Sequence, residues 1–161
     1  MVTFAEIEMN LDAAIEQFYR LQTDRQLALL WFIYKEMGDS VTPAAPATAA
    51  RDVAGGLYEQ VKATPQEEQL QIMRDIARKA STRFSREYGA LSANTKLAFW
   101  YYLAQGMDEG TIIPMPDNYQ LSDEAKELFD AIIRLDFQQQ ITILRNAVVN
   151  MGAEPAEGAA V

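Results

Sequence analysis

The sequence predicts an all-α protein assembled from two copies of a four-helix unit, and three observations carry that prediction. Apolar residues recur at i, i+3, i+4 and i+7 in every long segment, and no segment shows the period-2 alternation of a strand. Two segments, 27–34 and 97–104, are apolar around the whole helix rather than along one stripe, which marks a wholly buried helix. The pattern also repeats. At an offset of 70, Leu21, Leu27, Ala28 and Met37 fall on Leu91, Leu97, Ala98 and Met107. At an offset of 71, "QLQIMRDIA" (69–77) lies over "QITILRNAV" (140–148), and Leu57, Tyr58 and Glu59 lie over Leu128, Phe129 and Asp130. Similar offsets in separate regions point to a duplicated unit.

The elements follow in order. Periodicity alone marks a first helix over 4–20. "TDRQ" at 23–26 opens the second, over 24–37, as a capping box with Thr23 at the N-cap and Gln26 three residues on. A third is expected over 47–63. "TPQE" at 64–67 opens the fourth, over 65–80, with Thr64 at the N-cap, Glu67 closing the box and Pro65 at N1, where its missing N–H costs nothing. A short helical piece follows over 82–88. Ser92 or Asn94 caps a helix over 95–109, and Ser122 caps one over 123–135. The last helix is expected over 138–151. "GDSVTPAAPA" (38–47) and "GTIIPMPDNY" (110–119) each hold two prolines, which remove donors and fix φ, so both read as irregular connections. The small polar residues of 153–161 are expected to form a flexible tail, leaving 1–152 as the domain.

Composition narrows the chemistry. The 161 residues are 49% apolar and 23% charged, a globular balance in a chain long enough for a real core. No run is long and apolar enough to span a membrane, and the acidic start "MVTFAEIEMN" lacks a basic n-region, so a cytoplasmic location is the expectation. There is no cysteine and no histidine, which excludes disulfides, the usual zinc sites, cysteine nucleophiles and imidazole-based triads. A net charge of −9 argues against a nucleic-acid partner. Asp24, Glu36, Asp39, Glu59 and Asp75 could pair as carboxylates, but most lie where helix caps and solvated faces want acids. The expectation is therefore no enzyme and no metal.

The two all-apolar helices carry the functional question. On the first, Leu27, Leu30, Trp31 and Tyr34 form one stripe, with Leu29, Phe32 and Ile33 opposite. The repeat mate carries Leu97, Trp100, Tyr101 and Ala104, with Phe99, Tyr102 and Leu103 opposite. Aromatic rings with polar tips are poor simple packing units, because each N–H or O–H needs a partner. Methionines at 37, 73, 107 and 115 add the adaptable residue of apolar sites. Periodicity leaves core and ligand lining both open. Arg145, on a helix with few other charges, reads either as a snorkelling or salt-bridged arginine or as an anchor on a partner surface.

Four segments then stand together: "QLALLWFIYKEMG", "KLAFWYYLAQGM", "PMPDNYQLS" and "QQITILRNAVVNMG". In that order and spacing, from about residue 17 to 152, they closely resemble the N-terminal helical domain of the cyanobacterial orange carotenoid protein family. The resemblance implies two interleaved four-helix bundles with a ketocarotenoid (canthaxanthin, echinenone or 3'-hydroxyechinenone) held non-covalently in a tunnel between them. Because the match stops near Gly152, the chain is similar to the stand-alone helical carotenoid proteins. Carried over by position, the carotenoid-binding residues would be Leu27, Leu30, Trp31, Tyr34, Met73, Ile76, Leu97, Trp100, Tyr101, Met107, Met115, Pro116, Tyr119, Ile143, Arg145 and Val148. Asn94 and Arg145 match positions that face the C-terminal domain in two-domain members, which implies a partner surface here. The chain departs from the family where Met115 and Pro43 replace isoleucine and Ala104 and Ala47 replace glycine. Each such alanine narrows the tunnel by a methyl.

The resemblance implies a photoprotective monomer or weak homodimer in the cytoplasm, near thylakoid membranes or phycobilisomes. It would quench singlet oxygen, quench the phycobilisome, or carry carotenoid to a C-terminal-domain homologue. Without the resemblance, the residues describe a helical module for some other apolar ligand, or a protein–protein adaptor.

Overall fold

The computed structural model describes residues 11–37 and 48–154, with the side chains of 48–52 excepted. The expected helical residues 4–10, the loop 38–47 with Pro43 and Ala47, and residues 155–161 lie outside the described residues. Among the described residues there are eight helices and no strand: α1 (Leu11–Arg20), α2 (Thr23–Met37), α3 (Thr48–Lys62), α4 (Gln66–Ala77), α5 (Arg83–Gly89), α6 (Ala93–Glu109), α7 (Asp123–Ile133) and α8 (Phe137–Val149). None of them is long and apolar enough to cross a membrane.

The helices sort into two interleaved bundles, α1, α2, α7 and α8 against α3, α4, α5 and α6. Exchanging α1–α4 with α5–α8 maps the main helix contacts onto one another. The α2–α7 contact becomes α6–α3, α1–α8 becomes α5–α4, and α2–α4 becomes α6–α8, while the α2–α6 contact maps to itself. The repeat is thus a physical pseudo-two-fold, and each bundle takes two helices from each half.

Side chains repeat the same relation. Phe32 of α2 meets Phe129 of α7 at 6.1 Å between ring centroids, and their mates Tyr102 of α6 and Tyr58 of α3 meet at 5.9 Å. Gln69 and Gln140, aligned by the 71-residue offset, perform one task twice. Gln69 Nε2 donates to the carbonyls of Lys62 and Thr64 at the end of α3, and Gln140 Nε2 to those of Ile133 and Leu135 after α7. The last carbonyls of a helix have no partner within it, so each glutamine closes the helix that precedes its own. Gln69 also bonds Thr111 O and accepts from Ile113 N–H at 2.8 Å, which fixes the loop after α6.

Local signals explain the boundaries. Ser92 and Ser122 cap α6 and α7, accepting from the N–H of Thr95 and Ala125 at 3.3 Å. The box expected at Thr64 is not formed: α4 begins after Pro65, and the Thr64 hydroxyl donates back to Val61 O. Gln26, expected to close a box on Thr23, donates instead to Phe18 O and Leu21 O at the end of α1. A complete capping box does occur at α8, between Asp136 and Gln139, and Thr82 caps α5. The α4 helix stops short of residue 80 because Lys79 turns left-handed, at a φ of 60°.

α3 and α6 approach closely at Gly106, where a Cβ would lie 2.6 Å from the Tyr58 hydroxyl. The chain after α8 is also tied down. Gly152 N–H donates to Ile76 O, Ala153 N–H reaches Ser85, and Ala153 O lies where a Gly89 Cβ would stand. Buried Gln69 offers the sharper test of the capping scheme. Gln69→Leu leaves the Ile113 N–H and several carbonyls unpaired and should destabilise by roughly 1–3 kcal/mol in urea unfolding. Gln140→Leu, at a half-exposed site where water can substitute, should cost less.

Candidate functional site

Because α2 is apolar on both sides, it has two surfaces to cover. Leu29 and Ile33 are buried in the core, and Phe32 packs on α7. The opposite stripe, Leu27, Leu30, Trp31 and Tyr34, opens onto a cavity of about 230 Å³ between α2, α4, α6 and the loop 113–116. From α6 come Trp100, Leu103, Ala104 and Met107; from α4, Leu70, Met73 and Arg74; from the loop, Ile113, Pro114, Met115 and Pro116. A second cavity of about 330 Å³ is lined by Trp31, Tyr34, Lys35, Tyr101, Ala104, Gln105, Asp108 and Glu109. The two cavities share Trp31, Tyr34 and Ala104 as walls. From Asp24 to Lys35 they follow α2 for about 16 Å, at 1.5 Å per residue.

The sequence reading and the geometry meet at ten positions. Leu27, Leu30, Trp31, Tyr34, Met73, Trp100, Met107, Met115 and Pro116 line the first cavity, and Tyr101 lines the second. Six expected positions line neither. Ile76, Ile143 and Val148 are fully packed in the core, and Leu97 packs against it from a half-buried position. Tyr119 rests against Phe32 at 6.4 Å. Arg145 lies on α8, its Nε buried with no hydrogen-bond partner among the described residues, while Asn94 is exposed near the start of α6. Sequence reasoning missed Asp24, Ala28, Leu70, Arg74, Leu103, Ile113 and Pro114. The spacing of Leu70, Met73 and Arg74, at i, i+3 and i+4, was the available signal for α4.

Most polar tips of the aromatic walls are engaged. The Tyr34 hydroxyl donates to Leu97 O at 2.9 Å and staples α2 to α6. Trp100 Nε1 donates to the Tyr88 hydroxyl at 2.8 Å, which in turn donates to Val148 O at 2.6 Å. Tyr19 OH donates to Ala147 O, and Lys96 Nζ donates to Val149 O at 2.8 Å. Three side chains from three helices therefore satisfy successive carbonyls at the end of α8. Burial, with help from the Lys79 charge, lowers the Lys96 pKa. Trp31 differs: its Nε1 is buried without a partner among the described residues, and Lys35 Nζ sits 6.0 Å from its ring.

Each cavity carries one ion pair between helices. Arg74 of α4 grips Asp24 of α2 in bidentate fashion, Nε to Oδ1 at 2.8 Å and Nη2 to Oδ2 at 2.9 Å. The hydrogen bond from Arg74 holds the Asp24 carboxyl below its usual range. Lys35 of α2 meets Asp108 of α6 at 3.0 Å at the second cavity. Otherwise the first cavity is walled by apolar and aromatic groups, which suits an elongated, nearly uncharged ligand.

A family model described as "Orange carotenoid protein, N-terminal" matches residues 5–154. The chain belongs to this family. It is 48% identical over 143 residues to an orange carotenoid-binding domain-containing protein of Nostoc sp., covering 89% of this chain and 84% of that one. It is 44% identical over 140 residues to the orange carotenoid-binding protein of Synechocystis sp., covering 87% of this chain and only 44% of that protein. Among solved structures, the Red Carotenoid Protein of Anabaena (Nostoc) sp. binding canthaxanthin superposes with a TM-score of 0.78 at 49% identity, over 89% of this chain and 98% of that one. The Orange Carotenoid Protein of the same organism binding canthaxanthin gives 0.82 at 40% identity, over 91% of this chain and 46% of that one. The all-α fold of two interleaved bundles is thus the fold of the N-terminal domain of the family. The family is one of carotenoid-binding proteins, not enzymes.

Membership does not explain the buried tyrosines, but their burial makes them measurable. It pushes the Tyr19 hydroxyl up to about 12 and raises Tyr34 and Tyr88 as well, the bond from Trp100 offsetting part of the rise at Tyr88. An unfolded tyrosine loses its proton near pH 10. Above that pH the unfolded chain binds fewer protons than the folded one, so stability falls as pH rises. Near-ultraviolet titration should show Tyr19, Tyr34 and Tyr88 ionising only as the protein unfolds above pH 10. Ionisation of all seven tyrosines near pH 10 in a still-folded protein would contradict the placement.

Proposed function

We propose that this protein binds a ketocarotenoid non-covalently in the tunnel formed by the two cavities and protects against light damage by quenching singlet oxygen. The observation that carries the reading is the pair of adjoining aromatic-walled cavities between α2 and α6, sharing Trp31, Tyr34 and Ala104, in a chain of the orange carotenoid protein N-terminal family. The canthaxanthin of the related red and orange carotenoid protein structures supports the choice of pigment class, with echinenone and 3'-hydroxyechinenone as the other oxygenated candidates. When bound, the pigment supplies a low-lying excited state that accepts energy from singlet oxygen and releases it as heat.

The chain's own contribution is shape and exclusion. Trp31, Tyr34 and Trp100 offer aromatic faces to an extended polyene, and Leu27, Leu30, Leu103 and Met107 fill the spaces between them. Met73 and Met115 adapt to the terminal ring. The staple from Tyr34 to Leu97 and the bond from Trp100 to Tyr88 keep the walls from collapsing inward. No covalent attachment is required, which suits a chain without cysteine or histidine. The proposed setting is the cytoplasm, near thylakoid membranes or phycobilisomes.

A second reading rests on Arg145. A half-buried arginine on a helix with few other charges suits a protein surface with an acidic counterpart. Together with exposed Asn94 it supports docking of a C-terminal-domain homologue, with pigment exchange, ahead of docking on a phycobilisome.

Expression in a host that makes ketocarotenoids should give coloured protein that keeps its pigment through gel filtration and shortens the lifetime of singlet oxygen. Trp100→Ala and Trp31→Ala should each lower pigment retention at least several-fold. Colourless wild-type protein would sink the proposal, and unchanged retention in both variants would sink the wall assignment. Mixing pigmented protein with a C-terminal-domain homologue should shift the absorption spectrum for the wild type and not for Arg145→Glu.

A further inference from the structure

The first cavity is apolar along its walls and carries charge at one place, the Asp24–Arg74 pair. Both oxygens of Asp24 are taken by this arginine, through Nε at 2.8 Å and Nη2 at 2.9 Å. A guanidinium has five N–H donors in a fixed plane, so a bidentate grip leaves three of them. Arg74 Nη1 has no acceptor among the described residues. The carboxylate thus sets the plane of the fork, and the remaining donors belong to a wall residue of an otherwise apolar cavity.

An oxygenated end ring brings a different need from the polyene behind it. A keto oxygen moved out of water and given no donor loses its hydrogen bonds and gains nothing in return. The other polar tips on this wall are already engaged or enclosed. Tyr34 OH donates to Leu97 O, Trp100 Nε1 donates to Tyr88, and Trp31 Nε1 is enclosed by protein. At the second cavity, Lys35 offers a flexible point charge paired with Asp108 in a mixed polar rim, whereas Arg74, about a third exposed beside an exposed Asp24, presents a planar fork fixed by two bonds.

We infer that Arg74, oriented by Asp24, is the specificity-determining donor of this tunnel, receiving the oxygenated ring of the pigment and favouring keto-bearing carotenoids over hydrocarbon ones. The inference rests on the carotenoid reading above and adds a residue and a selectivity to it. A wall that offers a donor discriminates against a ligand lacking the matching oxygen more strongly than an apolar wall distinguishes shapes.

The experiment is a competition. Pigment-free protein is incubated with liposomes holding equal canthaxanthin and β-carotene, and the pigments retained after gel filtration are separated and counted. Wild-type protein should favour canthaxanthin. Arg74→Leu should lower the canthaxanthin to β-carotene ratio several-fold. Arg74→Gln, which keeps a donor but loses the fixed fork, should fall between. Asp24→Asn, which loosens the fork, should weaken the preference. An unchanged ratio in Arg74→Leu overturns the inference, as does equal loss of both pigments, which would mark the pair as merely structural. A wild type that takes up β-carotene as readily as canthaxanthin overturns it while leaving carotenoid binding standing. Uptake of neither pigment removes the carotenoid reading and this inference with it.

Discussion

The whole architecture depends on α2 and α6 having more apolar perimeter than one neighbouring helix can cover. Each buries one side against a partner from the other half of the repeat, through Phe32 on Phe129 and Tyr102 on Tyr58. Their remaining sides turn toward each other. There the large rings of Trp31, Tyr34 and Trp100 hold the helices apart, so the gap is lined rather than filled. A pair of ordinary leucine stripes would have met and closed. The tunnel is the space left when two helices with bulky inner faces are pinned at fixed separation, with Tyr34 OH on Leu97 O as one of the pins.

The second pin lies outside the tunnel and explains why α8 matters to it. A helix ending inside a protein must find donors for its last carbonyls. Here Tyr19, Tyr88 and Lys96 supply them from α1, α5 and α6, and Tyr88 also accepts from Trp100. Trp100 is therefore held through a hydroxyl to the backbone of another bundle. Trp31, across the tunnel, has no such bond. The two tryptophans are thus held differently, Trp100 by a hydrogen-bonded chain and Trp31 by packing alone.

The sequence made the α2 wall legible because a single helix displays its own stripe: Leu27, Leu30, Trp31 and Tyr34 needed no knowledge of any partner. On α6 the stripe holds for Trp100, Tyr101 and Ala104 but not for its first member. Leu97 was assigned to the wall by its match to Leu27, yet it is Leu103, placed on the far stripe, that lines the cavity. Periodicity fixes which residues share a face, but the rotation of that face is set by α3 and α8. Ile76, Ile143 and Val148 line neither cavity, because their side chains are packed into the core. The Asp24–Arg74 pair spans 50 residues, and no local pattern announces it. Capping was readable at Ser92 and Ser122, whose hydroxyls accept from the first turn of their own helices, and not at Thr64, whose hydroxyl closes the preceding turn instead.

Duplication explains the two central helices, and its imperfection explains the tunnel. If the halves were identical, each bulky residue on α2 would face its equal on α6. Instead Tyr34 has Ala104 as its mate and Leu30 has Trp100, so size is distributed unequally across the pseudo-two-fold. Trp31, Tyr34 and Ala104 are the walls common to both cavities. Two large rings need a small residue beside them if any passage is to remain, and alanine fills that place with one methyl more than glycine would. The shared walls are thus where a change of one carbon bears on both cavities at once, since close-packed interiors transmit such changes rather than absorb them.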